Sequence, residues 1–135
     1  MIVLDCSAAA EMVQETPRGR AFECLVLENE RIIASDLFQV EVRNTFWKYV
    51  NSSLMTTEQA EERIASALDL VDEFVPLEEN AAESFAEAVR QGHPVYDLFY
   101  ATLVRRNAAT LFTADKRLAA LCERMGLDCT CEVAF

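Results

Sequence analysis

Short, continuous apolar runs alternate along the chain with longer segments in which apolar residues recur every three to four positions. Uninterrupted apolar runs of this length predict strands buried on both faces, as in a parallel sheet. The predicted strands are residues 2–4, 32–34, 74–77 and 110–113, and residues 129–133 are the candidate for a final edge strand. The segments between them predict amphipathic helices. These helices are residues 8–13, 18–29, 37–51, 57–71, 79–91, 95–106 and 116–125.

Polar residues and proline at the ends of these segments predict where the elements begin and end. Ser7, Asp36 and Asp115 each precede a helical segment and are the expected N-caps. Asn107 follows the helix at 95–106 and suits the left-handed residue that often ends a helix. Pro76 predicts that the third strand is short or ends there.

The predicted elements follow the order β-α-α-β-α-α-β-α-α-β-α-β. Short apolar strands alternating with helices are typical of an α/β domain with a mainly parallel central sheet, here of four to five short strands. We expect one domain over residues 1–135. No apolar run approaches the roughly 18 residues of a membrane span. The apolar run at 1–4 meets Asp5 without a basic region, so no signal peptide is predicted and the expected location is the cytoplasm.

The charge is strongly negative and unevenly distributed. A net charge of −11 excludes a broadly basic nucleic-acid coat protein, but not a nuclease whose bound cations supply positive charge. Residues 58–83 carry most of the excess acid, which predicts a solvated helix face or, alternatively, a docking surface for a basic partner. Residues 84–135 are neutral overall. Their candidate phosphate contacts, which are otherwise ordinary surface charges, are Arg105, Arg106, Lys116 and Arg117.

The five cysteines predict free thiols in a reducing compartment. Their number is odd and their neighbours are mostly apolar. Cys129 and Cys131 form a C-x-C pair, but a zinc site needs further ligands and the single histidine, His93, is distant in sequence. A zinc site is therefore not predicted.

Two carboxylates follow predicted strands directly. Asp5 ends the first strand, and Asp115 lies two residues after Thr113 at the end of the fourth. Ligands of open parallel sheets bind beyond the carboxyl ends of the strands, so both acids are site candidates. The alternative is that each is only a helix N-cap.

Two further acids lie on predicted apolar helix faces. On the helix at 37–51, Glu41 and Asn44 share an arc of about 100° with Val40, which predicts that they face the core. Asp97 shares its side of the next-to-last helix with Tyr100, Ala101 and Val104. A buried carboxylate is costly unless it is paired or bound to a metal, and the alternative for each is an ion pair with an arginine.

One explanation accounts for four acids that end or interrupt apolar elements, namely that they converge on a divalent cation. Clustered carboxylates raise one another's pKa, and a hard cation such as Mg²⁺ removes the conflict. Such a site suits phosphoryl chemistry because the cation activates water and neutralises phosphate charge. Thr113 and Asn44 are expected to support the site.

The same residues lie in motifs that resemble those of a known family. Residues 3–8 (VLDCSA), 41–44 (EVRN), 96–101 (YDLFYA) and 111–118 (LFTADKRL) look like the successive motifs of PIN-domain ribonucleases, and the subgroup they resemble is the VapC toxins of toxin–antitoxin pairs. The resemblance spans essentially the whole chain. It implies a PIN-like α/β/α sandwich.

The resemblance also implies a function and a set of site residues. The family's acidic quartet corresponds to Asp5, Glu41, Asp97 and Asp115, and its Ser/Thr position to Thr113. The implied protein is an endoribonuclease that depends on Mg²⁺ or Mn²⁺. It is further implied to form a homodimer and to be inhibited by a cognate VapB-type antitoxin.

Three other functions remain to be compared with this one. A haloacid-dehalogenase-type phosphatase needs a second aspartate where this chain has Ser7. A phosphoacceptor receiver domain needs an acidic pair at the first strand and a lysine near the last, which this order does not match. The alternative of another class is a PIN-fold interaction module with a degenerate site. The presence of all four acids argues against it.

Overall fold

A computed structural model describes residues 1–131 and confirms the predicted order of elements. The strands are β1 (Ile2–Leu4), β2 (Ile32–Ser35), β3 (Glu73–Val75), β4 (Thr110–Phe112) and β5 (Cys129–Thr130). The helices are α1 (Cys6–Val13), α2 (Pro17–Leu25), α3 (Leu37–Asn51), α4 (Thr57–Asp69), α5 (Leu77–Gln91), α6 (Val95–Asn107) and α7 (Lys116–Arg124).

The five strands form one sheet in the order β3-β2-β1-β4-β5, and all four pairings are parallel. The central strand β1 pairs Val3 with Ile33 on one side and with Leu111 on the other. Because every strand runs the same way, all their carboxyl ends lie at one edge of the sheet. The polar residues that follow β1 and β4 are therefore neighbours.

Both faces of the sheet are covered, which gives the expected α/β/α sandwich. Ile2 and Leu4 point into a core shared with α1 to α4, and Val3 points into a second core shared with α5 to α7. Alternate residues of one strand thus enter different cores, and this explains why the strand is apolar throughout.

Three predicted helix ends differ from the structure. Asp5, not Ser7, caps α1, because its carboxylate accepts the backbone N–H of Ala8. Asp36 has helical backbone angles and accepts no capping hydrogen bond. The left-handed residue after α6 is Ala108 and not Asn107, whose amide instead donates to the Leu103 carbonyl in the last turn.

Some boundaries also shift. The helix predicted at 18–29 ends at Leu25, and the chain then turns through Asn29, which has a φ of 63°. Pro76 precedes α5, so the predicted strand at 74–77 ends at Val75 and the helix begins earlier than residue 79. The last strand covers only 129–130, and the remainder of its predicted range beyond residue 131 lies outside the described residues.

The thiol prediction is confirmed for the described residues, where all five cysteines are free.

None of the helices within residues 1–131 has both the length and the apolar character that a membrane span requires.

Candidate active site

The four predicted acids line one cleft of about 360 Å³ at the carboxyl end of the sheet. Asp5 follows β1, Glu41 lies on α3, Asp97 on α6 and Asp115 precedes α7. Four separate segments therefore contribute one carboxylate each to the same cavity. Asn44 also lines it.

Asp5 lies deepest and is held by several donors. Its carboxylate accepts hydrogen bonds from the Ser7 hydroxyl at 2.8 and 2.9 Å, from the Ala8 N–H at 2.9 Å, and from the Thr113 hydroxyl. Burial raises the pKa of this carboxyl to about 7, although the hydrogen bonds favour its charged form, and the nearby Glu41 raises it further. A buried acid with this pKa gives up its proton readily when a cation arrives.

Ser7 and Thr113 connect the ends of the two central strands. Thr113 is fully buried, and its hydroxyl oxygen accepts the N–H of Asp115 at 3.0 Å. The Ser7 hydroxyl oxygen accepts the N–H of Ala114 at 2.8 Å. The hydroxyl pair thereby sets the position of Asp5 relative to the loop that carries Asp115. Thr113 was expected to place its hydroxyl at the rim of the site; the structure buries this residue fully, with the hydroxyl directed to Asp5. Ser7 was expected only as a cap.

Glu41 reaches the cleft from the edge of α3, and the predicted core face of this helix was wrong. The buried stripe consists of Phe38, Val42 and Phe46, spaced four residues apart, while Val40 is 69% exposed. Apolar residues lie on both sides of α3, so the sequence alone left the buried stripe of this helix ambiguous. The packing of these three buried residues against the sheet core determines the rotation of the helix. Glu41 consequently borders the core instead of facing it.

The partner of Glu41 is a tyrosine and not the arginine considered from sequence. The Tyr100 hydroxyl donates a hydrogen bond to Glu41 Oε1. Partial burial raises the pKa of the Glu41 carboxyl, and the charges of Asp97 and Asp115 raise it further. Asp97 and Asp115 therefore each lie close enough to Glu41 for their negative charges to disfavour its ionised form.

Asp97 lies in the first turn of α6 and contacts His93, which sequence reasoning missed as a site residue. His93 Nε2 is 2.8 Å from Asp97 Oδ2, and the side chains are 10% and 28% exposed respectively. The four-residue spacing across the helix start was the available signal. As predicted, Tyr100, Ala101 and Val104 are buried on this helix.

Asp115 has two roles. Its carboxylate accepts the Arg117 N–H at 2.8 Å and so caps α7, as predicted, while the residue also lines the cleft. Lys116 and Arg117 are exposed at the start of the same helix. Lys48, one turn of α3 beyond Asn44, lines the cleft as well and was missed, although it shares the helix face of Glu41 and Asn44.

The structure does not bring Arg105 and Arg106 to the cleft. Both lie in the last turn of α6, about 12 Å along the helix from Asp97 at 1.5 Å per residue. Arg105 forms ion pairs with Glu83 and Glu87 on α5, at 2.6 and 2.7 Å. These contacts attach α6 to α5 and favour, for Arg105, the alternative that the sequence left open, an ordinary surface charge.

The donor set of the cleft fits a hard divalent cation. The carboxylates supply oxygen, the ligand atom that Mg²⁺ and Mn²⁺ prefer. In addition to burial, the charge of Glu41 raises the pKa of Asp5, and the charges of Asp97 and Asp115 raise the pKa of Glu41, a repulsion that a bound cation relieves. Within residues 1–131, no three His, Cys, Asp or Glu side chains are already at ligating distances. Mg²⁺ keeps several of its waters when it binds a protein. Carboxylates that are too far apart to bind the ion directly can therefore hold it through those waters.

Comparison with known proteins shows what the chain resembles. The family model described as "PIN domain" matches residues 2–124. "Ribonuclease VapC12" of Mycobacterium tuberculosis is 32% identical over 119 residues, which cover 88% of this chain and 90% of that protein. "Ribonuclease VapC3" of Pyrobaculum aerophilum is 28% identical over 123 residues, covering 87% and 92%.

Solved structures show the same fold. PAE2754 from Pyrobaculum aerophilum aligns with a TM-score of 0.72 at 20% identity, over 95% of this chain and 82% of that one. VapBC-1 from nontypeable Haemophilus influenzae aligns with a TM-score of 0.65 at 18% identity, over 97% and 98%.

Proposed function

The chain belongs to the PIN domain family, and from this premise we propose that it is a metal-dependent endoribonuclease, the toxin of a toxin–antitoxin pair. The observation that carries the proposal is the cleft in which four distant segments each place one carboxylate. Two relatives that match most of this chain are named ribonucleases. Hydrolysis of an RNA phosphodiester is the phosphoryl reaction that such a cleft suits.

In this proposal Asp5, Glu41 and Asp97 hold Mg²⁺ or Mn²⁺ directly or through water, and Asp115 supports a second cation or the attacking water. The bound cation supplies charge neutralisation at the phosphate and a water of lowered pKa. The chain's own contribution is to place the ligands. Tyr100 orients Glu41 by the hydrogen bond described above.

Smaller groups complete the proposed site. Thr113, directly after the neighbouring strand β4, holds Asp5 through a hydrogen bond, and in this proposal Asn44 orients a ligand or water at the rim. Lys116 and Arg117, with Lys48 on the facing wall, are the proposed contacts for RNA phosphates. Because these basic side chains lie next to the carboxylates, the proposed RNA contacts are confined to the mouth of the cleft. This agrees with the net negative charge of the chain.

The proposed partners are RNA, a VapB-type antitoxin and a second copy of the chain. Val40 and Trp47 on α3 are 69% and 58% exposed, and Val40 lines the acidic cleft. Exposed apolar side chains next to a site are typical of a protein-binding surface, and we assign this one to the antitoxin. The aligned structure from Haemophilus influenzae bears the name VapBC-1, which joins the names of the antitoxin and the toxin classes. Free thiols suit the cytoplasm.

The experiment that tests the function is cleavage of a total cellular RNA pool by the purified protein. We expect discrete fragments with Mg²⁺ or Mn²⁺ and intact RNA with EDTA, because the carboxylates repel the substrate phosphate without a cation. Fragments that persist in EDTA would contradict metal dependence. A folded protein that neither cleaves RNA nor binds Mn²⁺ would favour the alternative, a degenerate PIN-fold interaction module.

The raised pKa of Asp5 predicts how metal binding depends on pH. Because protons compete with the cation for this carboxyl, Mn²⁺ should raise the Tm more at roughly pH 8.5 than at roughly pH 5.5. In the metal-free protein the folded-state pKa of about 7 exceeds the ordinary 3.8. The free energy of unfolding therefore falls as the pH rises between these values.

Thermal unfolding with and without Mn²⁺ measures this effect. Asp5→Asn is the matched variant, since it keeps the shape of the side chain and removes the titrating group. The Mn²⁺ shift of that variant should be small at both pH values. An equal Mn²⁺ shift at both pH values in the unmodified protein would contradict the assignment of Asp5 as a ligand.

A further inference from the structure

The link between α5 and α6 has only three residues, and the helix ends on both sides fix its conformation. Gly92 has a left-handed φ of 58°, and its N–H donates to the Val89 carbonyl at 3.4 Å. The His93 N–H donates to the Ala88 carbonyl at 3.1 Å. These two hydrogen bonds form a Schellman motif, and Pro94, whose ring restricts φ, then precedes α6. The backbone of His93 is therefore held by both helices.

The side chain of His93 is turned inward although it belongs to a surface link. Gly92 and Pro94 on either side of it are exposed, whereas the His93 side chain is only 10% exposed. Its Nε2 lies 2.8 Å from Oδ2 of Asp97. Since an ionised carboxylate can only accept hydrogen bonds, the Nε2–H is the donor in this contact. The contact engages one oxygen of Asp97, a residue that lines the acidic cleft.

Helix capping alone does not explain this arrangement. Asp97 is the third residue of α6, the position from which a side chain in a capping box accepts the backbone N–H of the N-cap residue. The N-cap residue here is Pro94, which has no N–H to donate. The positive end of the helix favours a carboxylate at this position but does not select one of its two oxygens. His93 is the group that holds Oδ2 in place.

The other two acids that are proposed to hold the cation are oriented in the same manner. The Thr113 hydroxyl donates to Asp5, and the Tyr100 hydroxyl donates to Glu41. His93 supplies the corresponding donor to the third acid. Donors of this kind fix a carboxylate before the cation arrives, and their removal typically weakens metal binding by about 10–100-fold.

We propose that His93 is a positioning residue of the metal site. Its imidazole N–H holds Oδ2 of Asp97, so that the other carboxylate oxygen is presented to the cation or to a water bound to it. The inference rests on the metal-dependent function proposed above. His93 acts through Asp97 and contacts neither the cation nor the RNA.

The test measures Mn²⁺ binding to the full chain by calorimetry, without RNA. His93→Leu removes the donor, and we expect it to weaken the Mn²⁺ affinity by about 10–100-fold. His93→Gln should recover most of that affinity, because its amide Nε2–H lies as many bonds from Cα as the imidazole Nε2–H. Thermal unfolding in EDTA should show that both variants remain folded. A merely structural role would instead lower the Tm and leave the Mn²⁺ affinity of the folded protein unchanged.

The outcomes separate this role from the proposed function. An unchanged Mn²⁺ affinity in His93→Leu would overturn the positioning role. An equal loss of affinity in His93→Leu and His93→Gln would overturn it as well, because the donor would then not be the cause. If the unmodified chain bound no Mn²⁺, the proposed metal site would be wrong and this role with it. Loss and recovery of Mn²⁺ affinity in a chain that cleaves no RNA would support the role of His93 and contradict only the proposed reaction.

Discussion

Asp97→Asn is expected to lower metal-dependent RNA cleavage by about 10²–10⁴-fold, the range seen when a group acting at the reacting centre is lost. The substitution keeps the shape of the side chain and an oxygen that accepts from His93. It removes one negative charge from the cleft. Since Asp97 is only partly buried, the free energy of unfolding should change little. The loss then reflects a missing cation ligand and not a damaged fold.

The matched control is Asp69→Asn, which makes the same chemical change at an exposed position at the end of α4. Cleavage rates on a common RNA pool and Mn²⁺ affinity by calorimetry should both remain near those of the unmodified chain in this variant. In Asp97→Asn both should fall together. Cleavage by Asp97→Asn at the original rate would exclude Asp97 from the site.

Gly19→Ala is expected to destabilise the protein by about 3 kcal/mol or more, at or beyond the upper end of the usual range for an overpacked core. A Cβ at this position would lie 2.0 Å from the Glu11 carbonyl oxygen and 2.7 Å from the Met12 nitrogen. These are backbone atoms of α1, so no side-chain rotation relieves the clash. The two helices would have to separate, which loosens the core that Phe22 fills.

A domain of this size is stable by only about 5–15 kcal/mol, so this loss is readily measured by urea unfolding. Gly92→Ala is the comparison, because no atom lies within 4 Å of its added Cβ and only its φ of 58° opposes the change. Its expected cost is about 1 kcal/mol. If the two variants were equally stable, the close approach of α1 and α2 would be refuted.

The strand order along the chain and the candidate acids were predictable for local reasons. Parallel strands buried on both faces are apolar throughout, and Val3 beside Leu4 shows why, since the two enter different cores. An acid directly after such a strand must lie at the edge of the sheet. Asp5 and Asp115 could therefore be assigned to one edge before any contact was known.

The side chains that hold these acids could not be predicted in the same way. The spacing of His93 from Asp97 was a weak signal, and Tyr100 was expected only on the buried side of its helix. The packing of α6 alone brings Tyr100 to Glu41 of α3, 59 residues away in the chain. The rotation of α3 was predicted wrongly for a similar reason. Apolar residues lie on more than one side of that helix, and the sheet core selects the side with Phe38 and Phe46.

By itself, the sequence determined the α/β class, the order of the elements and the identity of four acids that end or interrupt apolar elements. These properties depend on periodicity and on neighbours within a few residues, which the chain carries locally. The tertiary structure alone decided the helix rotations, the close contact at Gly19 and the donor assigned to each carboxylate. It also decided that Arg105 contacts α5 instead of the cleft. These depend on contacts between distant segments, whose energies are settled only when the helices pack on the sheet.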